Sequence, residues 1–384
     1  MDRIEQSLSE RLAQRQSAGL LRTLEQIPPD AVDFCSNDYL GLARCAERFS
    51  PSPEHNAGAT GSRLISGNTA LTEQLEAKLA SFHQAEAGLL FNSGYDANVG
   101  FWSSIAGPED TIITDALVHA SIIDGVRLSK AKRMIFRHND LDHLALLLEK
   151  AQGNTFIGTE SVFSMDGDKA PLKEICQLAQ RYHAALIVDE AHSNGILGPQ
   201  GKGFVVEQAL EQQVFARVQT FGKAVGRHGA IVLGSKTLKA YLLNFARSFV
   251  FTTALPPQSI QAIDQAYDLI KVADDKRSQL LQNVQAFIAM RKRSPWAWLN
   301  SESWIQSVII PGNQMVRLVA ERLKSAGFAV KAIVSPTVAP GSERIRICLH
   351  SFNSLSEMEA LMKKLEDLHQ ELCSDMSSPV LAQK

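Results

Sequence analysis

The sequence has 384 residues, of which 45% are hydrophobic and 21% charged, a balance typical of a globular protein with one large domain and smaller appendages. Its net charge of −2 argues against a protein that binds nucleic acid or an anionic membrane. Five scattered cysteines without metal-ligand spacing, and an N-terminus without an apolar signal region, predict a cytoplasmic protein that holds no metal.

The first predicted element is an amphipathic helix from Met1 to Ile27, which Pro28 and Pro29 end. A short strand at 31–34 and a polar turn at 36–41 follow it. From residue 71 to residue 247, short apolar runs alternate with stretches of helical periodicity. This alternation predicts βα units, and therefore a mostly parallel sheet with helices on both faces.

The last third of the chain has a different pattern. Residues 257–291 predict one long helix or two stacked helices, and the short strands and amphipathic helix after them predict a small α+β domain. We therefore expect an α/β protein with an N-terminal helical segment at 1–45, a large domain at 46–270 and a small C-terminal α+β domain at 271–384.

Two strands of the large domain end in chemically useful residues. The apolar run at 185–188 ends on Asp189, with His192 just after it, and the run at 214–219 precedes Thr220 and Lys223. In α/β proteins such strand ends line the ligand site. An acid, an imidazole, a hydroxyl and an amine together are what pyridoxal phosphate needs, because the amine forms a Schiff base and the acid keeps the pyridine nitrogen protonated.

Each of these residues also has a commoner explanation on its own. Asp189 is typical of a helix N-cap, His192 of a loop histidine and Lys223 of a solvated surface lysine. A metal hydrolase site would instead use Asp189, Glu190, His192 and His119, but it leaves Lys223 without a role. The joint occurrence of acid, imidazole and amine in one α/β frame favours the cofactor site.

Three further features are candidates for binding. The turn at 91–98 joins a strand to a helix start, where the backbone of Gly94 and Tyr95 suits a phosphate. His119 begins a helix, and its ring either has no role or stacks on a flat cofactor. Arg344 and Arg346 share one face of a late strand, as a surface pair or as a clamp for a carboxylate.

Taken together, these motifs resemble those of the α-oxoamine synthases, which are pyridoxal phosphate enzymes of fold type I. The resemblance covers most of the chain, and it is carried by the motifs Ser-Asn-Asp-Tyr-Leu-Gly at 36–41, Asn-Ser-Gly-Tyr at 92–95, His-Ala-Ser at 119–121, Phe-Ser-Met-Asp-Gly-Asp at 163–168, Asp-Glu-Ala-His at 189–192, Thr-Phe-Gly-Lys at 220–223 and Phe-Thr-Thr-Ala-Leu-Pro-Pro at 251–257. It implies a large, mostly parallel sheet domain with a small C-terminal α+β domain and an N-terminal helix. One departure is visible: Thr72 stands where the family usually has a His, and we assign no role to that position.

The motifs at 119–125 and 246–257 most resemble the branch of the family that acts in biotin biosynthesis. The resemblance then implies that Lys223 binds the cofactor and takes the α-proton of L-alanine. The carbanion attacks a pimeloyl thioester, carried by CoA or acyl carrier protein, and carbon dioxide leaves. Asp189 makes the cofactor ring an electron sink, His192 bonds its phenolic oxygen and His119 stacks on the ring.

The same resemblance implies the binding residues. They are Gly94, Tyr95 and Thr220 for the cofactor phosphate, Ser164 near the phenolic oxygen, Thr253 for the phosphate of the neighbouring subunit of a homodimer, Arg346 for the amino acid carboxylate, and Arg22 and Thr337 for the acyl substrate. Three alternatives stay open: a sister branch that uses glycine with acetyl-CoA or serine with a palmitoyl thioester, the metal hydrolase, and a homologue that binds without turnover.

Overall fold

The computed structural model describes residues 2–45 and 57–377. The chain divides into two compact units, a large unit of residues 37–164 and 168–278 and a small unit of residues 1–36, 165–167 and 279–384. The expected domain boundary after residue 45 lies beside residues 46–56, which are outside the described residues, and the three domain limits stay a prediction.

The N-terminal helix is shorter than predicted. Helix α1 (Asp2–Ser17) ends because Gly19 takes the left-handed conformation with φ of 65°. The N–H of Gly19 donates to the carbonyl of Gln16 at 2.9 Å, and that of Leu20 donates to the carbonyl of Arg15 at 2.7 Å. This pair of bonds is a Schellman cap, so the prediction that the helix continues to Ile27 is wrong and Arg22 lies beyond the helix.

A seven-stranded sheet forms the core of the large unit. Its strands, following the short β1 (Val32–Asp33) of the small unit, are β2 (Ala87–Phe91), β3 (Thr111–Asp115), β4 (Lys132–Phe136), β5 (Thr155–Glu160), β6 (Ala185–Asp189), β7 (Ala216–Thr220) and β8 (Ala230–Gly234). They lie in the order β2-β8-β7-β6-β5-β3-β4. Neighbouring strands are parallel except for β8, which is antiparallel to both β2 and β7. The predicted mostly parallel sheet is confirmed.

Helices connect these strands. They are α2 (Ala70–Phe82), α3 (Gly94–Ser104), α4 (Ala120–Leu128), α5 (Leu141–Leu148), α6 (Leu172–Arg181), α7 (Phe204–Glu207), α8 (Lys236–Phe245), α9 (Arg247–Val250) and α10 (Pro257–Lys271). The predicted helical stretch at 257–291 is two helices, since α10 ends at Lys271 and α11 (Asp274–Arg291) begins three residues later. Asp274 and Asp275 lie in the first turn of α11, where negative charge is favourable. Trp102 of α3 is completely buried in the apolar core that α3, α4, α8 and α9 form with the sheet.

The parallel strands bring their polar ends to one edge of the sheet. Asp115, Glu160, Asp189 and Thr220 are the last residues of β3, β5, β6 and β7, which are neighbours in the sheet. Glu160 lies directly opposite Asp189 in the register of β5 and β6. Parallel strands place their carboxyl ends at the same edge, so the sheet itself assembles these side chains.

The small unit is an α+β arrangement. Its strands and helices are β9 (Ala297–Trp298), β10 (Ile305–Ile309), α12 (Asn313–Ser325), β11 (Phe328–Ala329), β12 (Lys331–Ile333), β13 (Arg344–Cys348) and α13 (Leu355–Ser377). An antiparallel sheet has the order β12-β13-β10-β9, and β1 pairs with β11 in parallel. Across the described residues, no helix has the length and apolar character that crossing a membrane requires.

Candidate active site

A cavity of about 150 Å³ lies at the carboxyl edge of the large sheet. The lining residues are Gly94, Tyr95, Asn98, His119, Ser121, Glu160, Asp189, Ala191, His192, Thr220 and Lys223. Seven of them are residues that the sequence predicts for the cofactor, namely Gly94, Tyr95, His119, Asp189, His192, Thr220 and Lys223. Side chains from five separate segments of the chain therefore converge on one cavity.

Asp189 is fixed from two sides. One carboxylate oxygen, Oδ2, accepts a hydrogen bond from Asn98 Nδ2 at 2.8 Å, and Oδ1 accepts one from the backbone N–H of Ala191 at 2.9 Å. Asp189 is only 6% exposed, so its carboxylate is held in a fixed direction in the cavity. The sequence places Asn98 in the turn at 91–98 but predicts no role for it, because its partner Asp189 lies 91 residues away in the chain.

His119 is held as a helix cap. Its ring nitrogen Nδ1 accepts the N–H of Ser121 at 3.2 Å, and its own backbone N–H donates to Glu160 Oε1 at 2.5 Å. Burial lowers the pKa of His119, with Asp189 acting in the opposite direction and Lys223 in the same direction as burial. A neutral imidazole, oriented through Nδ1, suits stacking on a flat aromatic cofactor.

Glu160 is an acid in the cavity that sequence reasoning missed. It is 3% exposed and ends β5 beside Asp189. Burial, together with the negative charge of Asp189, raises the pKa of Glu160 to about 8. The signal is present in the sequence, because Glu160 ends an apolar strand just as Asp189 does.

Lys223 contacts a chain of polar side chains. Its Nζ lies 2.8 Å from His192 Nε2, and the other ring nitrogen, Nδ1, lies 2.8 Å from the hydroxyl of Tyr39. Tyr39 belongs to a motif that carried the family resemblance, but sequence reasoning gave it no role. Its position beside His192 follows only from the fold.

The third side of the cavity suits a phosphate. Helix α3 begins at Gly94, so the N–H groups of its first turn have no partner within the helix and carry its positive dipole end. A Cβ at Gly94 would lie 3.4 Å from Thr220 Oγ1, so glycine keeps the backbone and the Thr220 hydroxyl close together. Acid, neutral ring, amine and anion-binding turn together fit pyridoxal phosphate.

Two predicted cofactor residues do not line this cavity. Ser164 is not among its lining residues. Thr253 lies at a second, smaller cavity beside Arg63 and Thr72, and its carbonyl accepts a hydrogen bond from Asn92 Nδ2 at 2.9 Å. The roles of Ser164 and Thr253 stay predictions.

The predicted substrate residues belong to the small unit. Arg22 and Thr337 line the same cavity of about 400 Å³, together with the cationic side chains of Arg15, Arg317, Lys324 and Lys331. Of the arginine pair on β13, Arg344 is 6% exposed and forms an ion pair with Asp166 at 2.6 Å. The structure therefore gives Arg344 a structural partner, and the predicted role of Arg346 in binding a substrate carboxylate stays a prediction.

The metal alternative finds no support in the arrangement of these residues. Within residues 2–45 and 57–377, no group of three or more His, Cys, Asp and Glu side chains could hold a metal ion. Glu190, which the alternative needs, is buried and accepts hydrogen bonds from Gln219 Nε2 at 2.6 Å and from the N–H of Val205 at 2.9 Å.

Comparison with known proteins points to one family. Residues 29–365 match the family model described as aminotransferase class I and II. Over 388 residues, the chain is 39% identical to the 8-amino-7-oxononanoate synthase of Emericella nidulans, with 94% of this chain and 94% of that relative covered.

Solved structures agree with this assignment. Serine palmitoyltransferase of S. paucimobilis, with a bound aldimine of pyridoxal phosphate and myriocin, has a TM-score of 0.87 at 25% identity and covers 96% of this chain and 98% of its own. The 8-amino-7-oxononanoate synthase of Francisella tularensis has a TM-score of 0.78 at 28% identity and covers 90% of this chain and 100% of its own.

Proposed function

Since the chain belongs to the class I and II aminotransferase family, we propose that it is a pyridoxal phosphate enzyme that condenses L-alanine with a pimeloyl thioester. The products are 8-amino-7-oxononanoate, carbon dioxide and a free thiol, and the reaction belongs to biotin biosynthesis. The observation that carries the proposal is the convergence of Lys223, Asp189 and His119 on one cavity, in a chain that resembles 8-amino-7-oxononanoate synthases over nearly its whole length.

The cavity supplies what the cofactor needs. Bound there, pyridoxal phosphate provides an electron sink for the negative charge that develops on the amino acid Cα. Asp189 holds the proton of the ring nitrogen, because Asn98 and Ala191 fix its carboxylate. His119 covers one face of the ring, and the start of α3 with Thr220 binds the phosphate.

Lys223 has two tasks in this proposal. Its amine holds the cofactor, and once alanine takes its place it removes the α-proton and later returns one. Purified protein should be yellow, and borohydride should fix the cofactor to the peptide that contains Lys223. Labelling of a peptide with another lysine, such as Lys202, would refute this assignment.

The substrates bind through cations of the small unit. We assign the alanine carboxylate to Arg346, because a guanidinium binds a carboxylate with two parallel hydrogen bonds. The distal carboxylate of the pimeloyl chain is assigned to Arg22 and Thr337, which share a cavity with four more cationic side chains. The thioester carrier is CoA or acyl carrier protein.

We further propose that the enzyme works as a cytoplasmic homodimer. Support comes from exposed apolar side chains: Ile4 and Leu12 of α1 are 69% and 55% exposed, and Ile65 and Phe251 of the large unit are 84% and 71% exposed. A second copy of the chain would remove such side chains from water, which is favourable. Sedimentation equilibrium should give twice the chain mass of 42.1 kDa, and a monomer at assay concentration would contradict the proposal.

One assay tests the function. Purified protein with pyridoxal phosphate is offered alanine, glycine or serine against pimeloyl-, acetyl- and palmitoyl-CoA, with release of thiol and carbon dioxide as readouts. We expect the highest kcat/KM for alanine with pimeloyl-CoA. Because one methyl group discriminates by only about 1–3 kcal/mol, some glycine turnover agrees with the proposal. Faster turnover of glycine with acetyl-CoA, or of serine with palmitoyl-CoA, would assign the protein to a sister branch.

A further inference from the structure

A continuous line of hydrogen bonds leads from the cavity to the segment before α2. Lys223 Nζ contacts His192 Nε2 at 2.8 Å, His192 Nδ1 contacts the Tyr39 hydroxyl at 2.8 Å, and that hydroxyl donates to Asn37 Oδ1 at 2.9 Å. Tyr39 is completely buried and His192 is 4% exposed. All four residues belong to the large unit.

The far end of this line fixes its direction. The amide oxygen of Asn37 can only accept, so the hydrogen of the Tyr39 hydroxyl points to Asn37. The oxygen of Tyr39 then accepts from His192, which places the ring hydrogen on Nδ1. His192 Nε2 is left with a lone pair directed at the Lys223 amine.

We propose that Tyr39, oriented by Asn37, is a positioning residue that keeps His192 in the Nδ1–H form, so that Nε2 takes a proton from the Lys223 ammonium group. The proton moves from Nζ to Nε2 and leaves a neutral amine and an imidazolium. The neutral amine would then be the nucleophile that joins the cofactor aldehyde, with water as the other product. Nδ1 keeps its hydrogen before and after the transfer, so the bonds to Tyr39 and Asn37 persist throughout.

This inference rests on the proposed cofactor, but it does not depend on which amino acid or thioester is the substrate. A purely structural role for Tyr39 is the alternative, in which the buried ring fills space and the hydroxyl is dispensable. Both roles predict some loss of stability in Tyr39→Phe. They differ in what happens to the tautomer of His192.

The first test uses cofactor-free protein and nuclear magnetic resonance. The Lys223 ammonium also favours a lone pair on Nε2, so the background is Lys223→Ala, which removes this influence on the ring of His192. In ¹⁵N-histidine-labelled Lys223→Ala we expect His192 as the Nδ1–H tautomer, and in Lys223→Ala with Tyr39→Phe a shift towards Nε2–H. An unchanged tautomer in the double variant would overturn the proposal.

Asn37→Ala is a second variant for the case that Tyr39→Phe does not fold. Asn37 is partly exposed, so its truncation leaves the buried ring of Tyr39 in place. The hydroxyl then turns to donate to Nδ1, and the Nε2–H tautomer should again increase in the Lys223→Ala background. Retention of Nδ1–H there would also contradict the proposal.

The second test measures capture of pyridoxal phosphate by cofactor-free protein, from the absorbance of the Schiff base after rapid mixing. Removal of one hydrogen bond from the line should slow capture in Tyr39→Phe by about two- to tenfold. The matched control is Tyr241→Phe, because the Tyr241 hydroxyl donates to the Ser104 carbonyl at 2.6 Å and Tyr241 does not line the cavity. Capture at the unaltered rate in Tyr39→Phe, or equal slowing in both variants, would refute the positioning role.

Discussion

Asp189 shows how much of the site depends on one oriented charge. Its two oxygens accept from the Asn98 amide and from the Ala191 N–H, so the carboxylate cannot rotate away from a ring nitrogen in the cavity. Hydrogen bonds to a charged acceptor are stronger than hydrogen bonds to a neutral acceptor. In the proposed function this acid is the electronic partner of the cofactor, and two hydrogen bonds fix its direction.

The substitution Asp189→Asn tests this role. A neutral amide cannot hold the pyridinium proton, and its NH2 group has to face either the Asn98 amide or the Ala191 N–H. A hydrogen bond to a charged group contributes about 1.5–3 kcal/mol, so turnover per bound cofactor should fall at least about tenfold. Asp110→Asn is the control, since Asp110 accepts from the Gly107 N–H at 2.8 Å and lies outside the cavity. Near-normal turnover in Asp189→Asn would refute the role.

At this scale the sequence predicts the residues that follow a local pattern. Asp189, Thr220 and Lys223 are found because each stands at or just after the end of an apolar strand. Asn98 and Tyr39 are not found, because they act through partners 91 and 153 residues away in the chain. Contacts between residues far apart in the chain depend on the order of the strands in the sheet, and local residue spacing does not predict that order.

At the scale of elements, His138 ties three strand ends together. Its Nδ1 lies 2.9 Å from Asp115 Oδ1 at the end of β3, and its Nε2 lies 2.8 Å from Asp168 Oδ2 after β5. Burial alone would lower the pKa of His138, but the hydrogen bonds to the two carboxylates raise it to about 10. The imidazolium therefore anchors the loop at 163–168 that contains Ser164.

This cation makes the stability of the large unit depend on pH. The folded pKa of about 10 lies above the ordinary value of 6.5, so the stabilisation is fully present below pH 6.5 and is lost as the pH rises through 10. His138→Gln should lower the free energy of unfolding by about 1.5–3 kcal/mol at pH 6, and the difference should shrink towards pH 10. Urea unfolding of both proteins across this range measures it, with His143→Gln as control. A difference that stays constant with pH would contradict the ion triad.

Element boundaries separate what periodicity predicts from what it misses. The βα alternation gives every strand of the large sheet, but not that β8 is antiparallel, since periodicity carries no direction. The N-terminal helix was predicted too long because Leu20, Leu21 and Leu24 continue its apolar spacing. The Schellman cap at Gly19 ends it first, and the backbone conformation of a single glycine outweighs the pattern.

For the whole molecule, the open question is how the acyl substrate is chosen. The small unit holds a cavity of about 400 Å³ in which Arg22 and Thr337 lie among further cations, and a pimeloyl chain ends in a carboxylate. One of the acidic residues there, Glu25, is already paired with Lys324, which lowers the pKa of Glu25. The cavity thus keeps an excess of positive charge for an incoming anion.

Arg22→Ala tests this assignment through two thioesters that differ only in the distal carboxylate. If Arg22 binds that group, the variant should raise the KM for pimeloyl-CoA about two- to fivefold, the effect of losing an exposed ion pair. The KM for heptanoyl-CoA, which has a methyl group in place of the carboxylate, and the KM for alanine should change little. Arg3→Ala controls for a general loss of charge, because Arg3 is exposed on α1 and does not line the cavity. If the KM for heptanoyl-CoA rises as much as that for pimeloyl-CoA, Arg22 acts on the common part of the thioester and not on the carboxylate.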